Sequence, residues 1–232
     1  MNRPFVYMNV AATADGKIDT FERRGAAISS FRDKDRVDGL RAEADAVMIG
    51  GGTLHGEDPK LTVKSELLRA EREARGFSPN PAKVAVSSRL QLKPEANFFT
   101  AGPARMILFT TAQTSDDQLT LARSKGAEIH VLDGDRVDLT AALGKLKENR
   151  IERLMVEGGA TLNFELLRLG LVDELTVYVA PMILGGETSP TLAGGLGLAR
   201  SAALPLKLIS SEQWEDGGVL LHYQLLTHPA KT

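Results

Sequence analysis

Two glycine-rich stretches each follow a short apolar run, and both could bring bare backbone next to an anion. The first covers residues 50–52 and leads into Thr53, and the second is the pair Gly158 and Gly159. Glycine has no Cβ, so backbone N–H groups can approach a phosphate closely, and N–H groups at a helix start also carry partial positive charge. Each stretch alone is also explained by a tight turn. Together they predict a site for the pyrophosphate of a dinucleotide.

A third candidate is the sequence Ser87-Ser88-Arg89, which follows another apolar run. Two hydroxyls and a guanidinium suit the 2′-phosphate of NADPH, because the planar guanidinium can hold a phosphate with two parallel hydrogen bonds. A solvated loop explains the same residues. The trio alone leaves both explanations open.

The familiar phosphate and nucleophile motifs are missing. Glu57 occupies the lysine position of a P-loop, and His55 occupies the third glycine position of the G-x-G-x-x-G pattern. None of the three tyrosines precedes a lysine by four residues, and there is no G-x-S-x-G elbow. The chain has no cysteine, and its four histidines include no i, i+4 pair, so no metal site is predicted. Hydride transfer remains, because there the cofactor carries the chemistry.

The elements that must position these residues follow an alternating pattern. Short β-branched runs alternate with helical patterns, which predicts an α/β fold whose sheet is mostly parallel. We expect about eight strands, closing in an antiparallel hairpin around the EDGG turn at residues 215–218. Ligands bind beyond the carboxyl ends of such strands, where the glycines and the serine pair lie. We predict one domain over residues 1–232, with a charged, exposed helix at 65–76.

Composition narrows the functional classes. The chain has 232 residues, of which 43% are hydrophobic and 25% charged, with a net charge of −2. These values are typical of a globular protein and give no basic surface for nucleic acid. No 18-residue apolar span occurs, and the N-terminus lacks the apolar region of a signal peptide. We therefore expect a cytoplasmic protein without membrane contact.

Three segments carry a resemblance to a known family. RPFVYMNVAATADGKI, RVDGLRAEADAVMIGGGTLHGEDPKLTV and LMVEGGATLNFELLRLGLVDELTVYVAPMILGGETSPTL resemble the pyrimidine reductases of riboflavin biosynthesis over most of residues 4–192. These are the reductase half of the bifunctional bacterial deaminase–reductase and the stand-alone 2,5-diamino-6-ribosylamino-pyrimidinone 5′-phosphate reductases. The resemblance implies a three-layer, dihydrofolate-reductase-like fold, NADPH as cofactor and a homodimer. For the dimer seam we expect the apolar residues 175–184.

The family reaction reduces the ribosylamino side chain of a pyrimidine 5′-phosphate to a ribitylamino chain, with hydride going to C1′ after the sugar ring opens. The resemblance implies that the cofactor contacts Ala12, Thr53, Ser88 and the segment that consists of Gly159, Ala160, Thr161, Leu162, Asn163, Phe164 and Glu165. It implies that the substrate contacts Asn9, Arg41, Asp58, Leu61, Lys64 and Glu157, with Arg41 holding the phosphate.

Ring opening and imine reduction both move protons, so a carboxyl group near C1′ is expected. Glu57 is the first candidate and Asp15 the second. Two residues depart from the family pattern: Glu57 is one methylene longer than the usual aspartate, and Lys64 stands where arginine is common. Neither change removes a charge, so we expect function to be kept.

Two other functions stay open at this point. One is a dihydrofolate, pteridine or small-carbonyl reductase on the same fold, although the only tryptophan, Trp214, is far from the early position typical of dihydrofolate reductases. The other is a nucleotide-binding module without catalysis. The sequence leaves open whether the pyrimidine keeps its 2-amino group or has been deaminated.

Overall fold

The structure is a computed structural model that describes residues 2–226. Over this range the chain forms nine strands and seven α-helices. The strands are β1 (Phe5–Thr13), β2 (Ala46–Gly50), β3 (Ala82–Val86), β4 (Met106–Thr111), β5 (Glu128–Leu132), β6 (Arg153–Gly158), β7 (Glu174–Ala180), β8 (Leu206–Gln213) and β9 (Val219–Leu225). The helices are α1 (Phe31–Glu43), α2 (Gly51–Gly56), α3 (Glu66–Ala74), α4 (Asn97–Thr100), α5 (Asp116–Ser124), α6 (Leu139–Glu148) and α7 (Ala160–Arg168).

The described strands form a mixed sheet of order β5-β4-β3-β2-β6-β1-β7-β9-β8. Strands β2 to β5 pair in parallel, as do β1 and β7, whereas β9 is antiparallel to both β7 and β8. The predicted α/β class, the mostly parallel sheet and the C-terminal hairpin are confirmed. The observed strand number is nine rather than about eight.

The chain divides into two compact units. Unit 1 contains residues 2–4 and Asp35–Met155, and unit 2 contains Phe5–Lys34 and residues 156–226. A single domain over residues 1–232 therefore stays a prediction. No helix within residues 2–226 has the length and apolar character needed to cross a bilayer.

In unit 1, the neighbouring parallel strands β2 and β3 are buried on both faces. Every residue of β2 and β3 is buried, and α6 adds Leu139, Ala142, Leu143 and Leu146 to the core. Asp138 begins α6 by accepting hydrogen bonds from the backbone N–H groups of Thr140 and Ala141. The register pairs Gly50 with Val86, so the chain leaves β2 and β3 at the same level. This register brings the triple glycine beside the serine pair.

In unit 2, β7 lies between β1 and β9, so both of its edges are paired. Leu175, Val177, Tyr178 and Ala180 are all buried. The seam expected at residues 175–184 stays a prediction; within this range only residues 181–184 are exposed in the single chain. Strand β8 is a further exposed apolar edge, where every residue is exposed, Leu206, Leu208 and Ile209 among them.

Candidate functional site

The predicted site residues fall into two groups, one in each unit. In unit 1, the triple glycine opens helix α2 directly after β2, rather than forming the bare turn expected. An ideal Cβ built on Gly51 would lie 2.6 Å from the Ser87 Oγ, whereas one on Gly52 would meet nothing within 4 Å. Close packing therefore requires glycine at residue 51 and leaves residue 52 unconstrained. Thr53, two residues into the helix, is buried.

The serine pair at the end of β3 is held by hydroxyl groups. The Ser87 Oγ donates to the Arg89 carbonyl oxygen over 2.7 Å, so its single proton is already used. The Ser88 carbonyl oxygen accepts from the Thr111 Oγ1 over 2.9 Å, which fixes the loop from the β4 side. Arg89 is exposed. The Ser88 hydroxyl and the Arg89 guanidinium are thus the better candidates for donors to a phosphate.

The loop between α2 and α3 contains two non-glycine residues in the left-handed region, Asp58 with φ +45° and Leu61 with φ +55°. Such a conformation costs about 1–3 kcal/mol and persists only where its surroundings impose it. Leu61 is fully buried, and the Asp58 Oδ2 accepts from the Asn97 backbone N–H over 2.9 Å. The Asp58 Oδ1 is buried without a hydrogen-bond partner. Glu57 precedes this loop and is exposed.

Arg41 and Lys64 belong to one hydrogen-bonded assembly of α1 and the same loop. The half-buried Arg41 donates from Nη1 to the Thr62 carbonyl oxygen over 3.1 Å. The side chain of Lys64 is exposed, while its backbone N–H donates to Asp38. A guanidinium and an ammonium on one rigid frame suit a dianionic phosphate.

In unit 2, Asn9 and Ala12 are buried in β1, and Asp15 lies in the turn that follows. The Asp15 carboxylate accepts from the Thr13 Oγ1 over 2.5 Å and from the Gly185 backbone N–H over 2.7 Å. The hydrogen bond from Thr13 is the main cause that holds the pKa of Asp15 below its usual value. Asp15 and Gly16 lie in a turn, with Gly16 at φ +78°.

The second glycine stretch lies between β6 and α7. Glu157 is half-buried near the end of β6, Gly158 adopts φ +108°, and the Gly158–Gly159 peptide bond is cis. Helix α7 begins at Ala160 with no side-chain cap on its first N–H groups. These groups carry the positive end of the helix dipole. The start of α7 therefore fits the pyrophosphate that the sequence predicted, with Ala160 and Thr161 in the first turn.

Leu162 and Asn163 are predicted cofactor contacts whose side chains point into the protein. Leu162 is buried, and Asn163 is fully buried. The Asn163 backbone N–H donates to the Gly159 carbonyl oxygen, and its Nδ2 donates to the Leu192 carbonyl oxygen over 2.8 Å. The Asn163 side-chain amide thus holds α7 against the loop at Leu192. A cofactor contact from Leu162 would use its backbone N–H.

Sequence reasoning missed the residues that support this site. The helix predicted as exposed at 65–76 buries Arg72, whose Nη1 donates to the carbonyl oxygens of Ala42 and Ala44 near the end of α1. Lys83, fully buried in β3, donates from Nζ to the carbonyl oxygens of Asn97, Phe98 and Ala101. Burial lowers the pKa of Lys83 to about 8, and the charge of Asp58 opposes this shift. No local sequence motif predicts the roles of Arg72 and Lys83, because the carbonyl oxygens that they bond to are distant in sequence.

Comparison with known proteins gives these features a family. The sequence pattern of the RibD C-terminal domain matches residues 4–220. The chain belongs to the RibD C-terminal domain family. A relative from Archaeoglobus fulgidus, named 2,5-diamino-6-ribosylamino-4(3H)-pyrimidinone 5′-phosphate reductase, is 42% identical over 193 residues, which are 83% of this chain and 87% of the relative. A relative of the same name from Methanothermobacter thermautotrophicus is 38% identical over 207 residues, covering 89% of this chain and 91% of the relative.

Solved structures agree on the fold. A pyrimidine reductase-like protein from Corynebacterium diphtheriae superposes with a TM-score of 0.81 at 21% identity, covering 98% of this chain and 94% of that one. RibD from Acinetobacter baumannii gives a TM-score of 0.80 at 24% identity, covering 97% of this chain and 59% of that one. The predicted dihydrofolate-reductase-like fold is confirmed.

Proposed function

We propose that this RibD C-terminal domain protein is an NADPH-dependent reductase of riboflavin biosynthesis. It reduces the ribosylamino side chain of a pyrimidine 5′-phosphate to the ribitylamino form. The observation that carries this proposal is the 42% identity to the Archaeoglobus fulgidus reductase over 83% of the chain. The names of the relatives favour the diamino-pyrimidinone over the deaminated uracil compound as substrate.

For the cofactor, the uncapped start of α7 supports a pyrophosphate contact through Gly159, Ala160 and Thr161. Gly158 supplies the positive φ that precedes it. When bound, NADPH supplies the hydride that is transferred to C1′ of the opened sugar. The preference for NADPH over NADH is assigned to Ser88 and Arg89, since the Ser87 hydroxyl already donates to the loop backbone.

The substrate phosphate is assigned to Arg41 and Lys64, with Leu61 shaping that loop. Asn9 and Glu157 are proposed to contact the pyrimidine and its ribosyl chain. Asp58 is proposed to act nearby, with one carboxylate oxygen bonded to the Asn97 backbone N–H.

The proton donor is assigned to Glu57 rather than Asp15. A general acid must hold its proton near neutral pH, and the hydrogen bonds to Asp15 lower its pKa. Glu57→Gln is expected to lower kcat by about 10²- to 10⁴-fold, the range for removing general acid–base catalysis. Nearly full kcat in this variant across about pH 5–8 would exclude an acid–base role for Glu57.

The decisive experiment measures NADPH oxidation by the purified protein with each pyrimidine 5′-phosphate in turn. We expect turnover with the diamino compound, and Arg41→Ala should raise its KM by roughly 10- to 150-fold while NADPH affinity barely changes, as expected for a lost charge-assisted contact of about 1.5–3 kcal/mol. Equal losses for both ligands would indicate a folding defect. No turnover with either pyrimidine, combined with stabilisation by folate analogues, would favour a dihydrofolate-type reductase. Stabilisation by NADPH alone would favour a binding module.

We also propose that the protein is a homodimer that uses the β8 edge. Leu206, Leu208 and Ile209 are each at least 41% exposed there, and an open strand edge offers unpaired backbone groups to a second copy. Sedimentation of the wild-type protein and of Leu208→Lys tests this assignment. A wild-type dimer that Leu208→Lys leaves intact would contradict it. A cytoplasmic location remains a prediction from the sequence.

A further inference from the structure

The backbone of residues 62–65 is bonded by side chains from its surroundings at nearly every position. Arg41 donates to the Thr62 carbonyl oxygen, and the Val63 N–H donates to the Asn80 Oδ1 over 2.9 Å. Arg69 Nη1 donates to the carbonyl oxygens of Val63 and Lys64 over 3.0 and 2.9 Å. This segment has no strand partner, so side chains replace the hydrogen bonds that a sheet would supply.

Asp38 supplies the shortest of these bonds. Its carboxylate is buried, with Oδ1 2.6 Å from the Lys64 backbone nitrogen and Oδ2 2.8 Å from the Ser65 backbone nitrogen. Both oxygens accept from N–H groups, and such bonds to a carboxylate are roughly twice as strong as neutral ones. The Asp38 carboxylate therefore fixes the backbone at Lys64, the residue whose ammonium group is assigned to the phosphate.

Asp38 and Arg41 are three residues apart on α1, a spacing that places two side chains on neighbouring positions of one helix face. Arg41 reaches Thr62 and Asp38 reaches Lys64, so one helix holds the loop at two points two residues apart. The end of α1 is itself fixed, because Arg72 donates to the Ala42 carbonyl oxygen over 2.7 Å. Helix and loop thus form a single rigid frame.

We propose that Asp38 is a positioning residue for the substrate phosphate. By fixing the Lys64 backbone relative to Arg41, it sets the spacing of the two cations and makes the enzyme select the 5′-phosphorylated pyrimidine over its dephosphorylated counterpart. This inference rests on the proposed function. Asp38 touches neither substrate nor cofactor, and its effect passes through Lys64.

Asp38→Asn is the sharpest perturbation, because the volume is kept and one acceptor becomes an NH₂ group facing a backbone N–H. We expect kcat/KM for the phosphorylated substrate to fall by on the order of 10- to 100-fold, with the loss mainly in KM. The dephosphorylated compound should react equally with both proteins, so the discrimination ratio falls by the same factor. Affinity for NADPH should stay unchanged.

Asp45→Asn is the matched control. The Asp45 Oδ2 accepts from two consecutive backbone N–H groups, those of Glu152 and Arg153, both over 2.8 Å. Asp45 immediately precedes β2 and therefore lies at its amino end, opposite the end where ligands bind in such sheets. Because one Asp45 oxygen takes both bonds, the amide keeps an acceptor for them, and the variant removes the carboxylate charge with a smaller loss of stability than Asp38→Asn. It should keep the wild-type discrimination ratio.

The test measures kcat/KM for both compounds in wild type, Asp38→Asn, Asp45→Asn, Lys64→Met and the Asp38→Asn/Lys64→Met double variant. The ratio of kcat/KM for the phosphorylated compound to that for the dephosphorylated compound should be no lower in the double variant than in Lys64→Met, because Asp38 acts through Lys64. The inference would be overturned if the effects of Asp38→Asn and Lys64→Met on this ratio were fully additive. It would also be overturned if Asp45→Asn lowered the ratio as much as Asp38→Asn does. A thermal shift with ribose 5-phosphate gives a readout without turnover: it should be smaller for Asp38→Asn than for wild type. An inactive wild type would refute the proposed function, and an equal thermal shift in both proteins would refute the role of Asp38.

Discussion

The close approach of Gly51 to Ser87 gives a prediction with a control only one residue away. In Gly51→Ala, the new Cβ would lie 2.6 Å from the Ser87 Oγ and 2.9 Å from the Ser87 Cβ, so Ser87 must move. Moving it breaks the 2.7 Å bond from Ser87 to the Arg89 carbonyl oxygen. Gly52→Ala adds the same methyl group to the same helix and meets nothing within 4 Å.

The magnitudes follow from these contacts. Overpacking costs about 1–3 kcal/mol and a lost hydrogen bond about 0.5–1.5 kcal/mol, while replacing glycine in a helix returns roughly 0.5–1 kcal/mol. Gly51→Ala should therefore lower the free energy of unfolding by roughly 0.5–4 kcal/mol, and Gly52→Ala should raise it by roughly 0.5–1 kcal/mol. For a chain of this length, the two variants should differ in Tm by roughly 3–18 °C.

Thermal unfolding of both variants is the assay, and the affinities for NADPH and NADH give a second readout. Because Ser87 adjoins the proposed 2′-phosphate donors, Gly51→Ala should lower the preference for NADPH, whereas Gly52→Ala should keep it. Adding Ser87→Gly to Gly51→Ala removes the clashing atoms and should recover part of the stability. If Gly51→Ala were as stable as Gly52→Ala, the close packing would not be what requires glycine at residue 51.

Three further predictions address the supporting residues and the cofactor. The folded chain loses the Lys83 proton near pH 8 and the unfolded chain near 10.4, so the unfolded state binds more protons in between. The free energy of unfolding should therefore rise with pH across that window relative to Lys83→Met, as measured by urea unfolding; a parallel pH profile would contradict this. Arg72→Met removes the donor to the Ala44 and Ser78 carbonyl oxygens and should cost about 2–4 kcal/mol. Arg75→Met removes an exposed side chain whose bond to the Ala42 carbonyl oxygen duplicates one from Arg72, and should cost under about 1 kcal/mol; equal urea midpoints would be the contrary result. Gly159→Asp should abolish the thermal shift with NADPH, because a carboxylate would repel the pyrophosphate at the start of α7; an unchanged shift would leave the glycine pair as a turn only.

The parts of the fold that the sequence predicts are those that depend on local pattern. The buried run AVMIG and the alternating runs on either side of the EDGG turn became β2, β8 and β9 because β-branched and apolar periodicity is a local property. The short helix α2 was missed, since three glycines favour a turn by propensity, and the close approach of Gly51 to Ser87 involves a residue 36 positions away along the chain. Asp38 and Arg72 were missed because their roles depend on partners about 26 to 30 residues away.

Predicted site residues separate by a simple physical criterion, namely whether the fold has already used their hydrogen-bonding groups. Roles that rest on backbone geometry, such as those proposed for Gly158 and Gly159, need no free side-chain group, because a glycine acts by leaving space and permitting an unusual φ. Side chains with few groups are different: Ser87 has one proton, and the Arg89 carbonyl oxygen takes it. The Asp15 carboxylate is likewise engaged by Thr13 and Gly185, which stabilises its charged form.

The same criterion favours Lys64, an exposed cation, as a contact for the phosphate. Arg41, the half-buried cation assigned with it, donates one guanidinium N–H to the Thr62 carbonyl oxygen. The bonds described for Lys64 are made by its backbone N–H and carbonyl groups. Its ammonium group therefore does not take part in those bonds to the loop. Asp38, Arg69 and Asn80 thus supply most of the side-chain bonds that hold this segment, and Arg41 adds one to the Thr62 carbonyl oxygen. Removing the Asp38 carboxylate should therefore affect the selection of the phosphorylated substrate, as removal of a cation would, and not only the stability of the fold. The discrimination ratios of Asp38→Asn and Asp45→Asn, compared with each other, measure this effect.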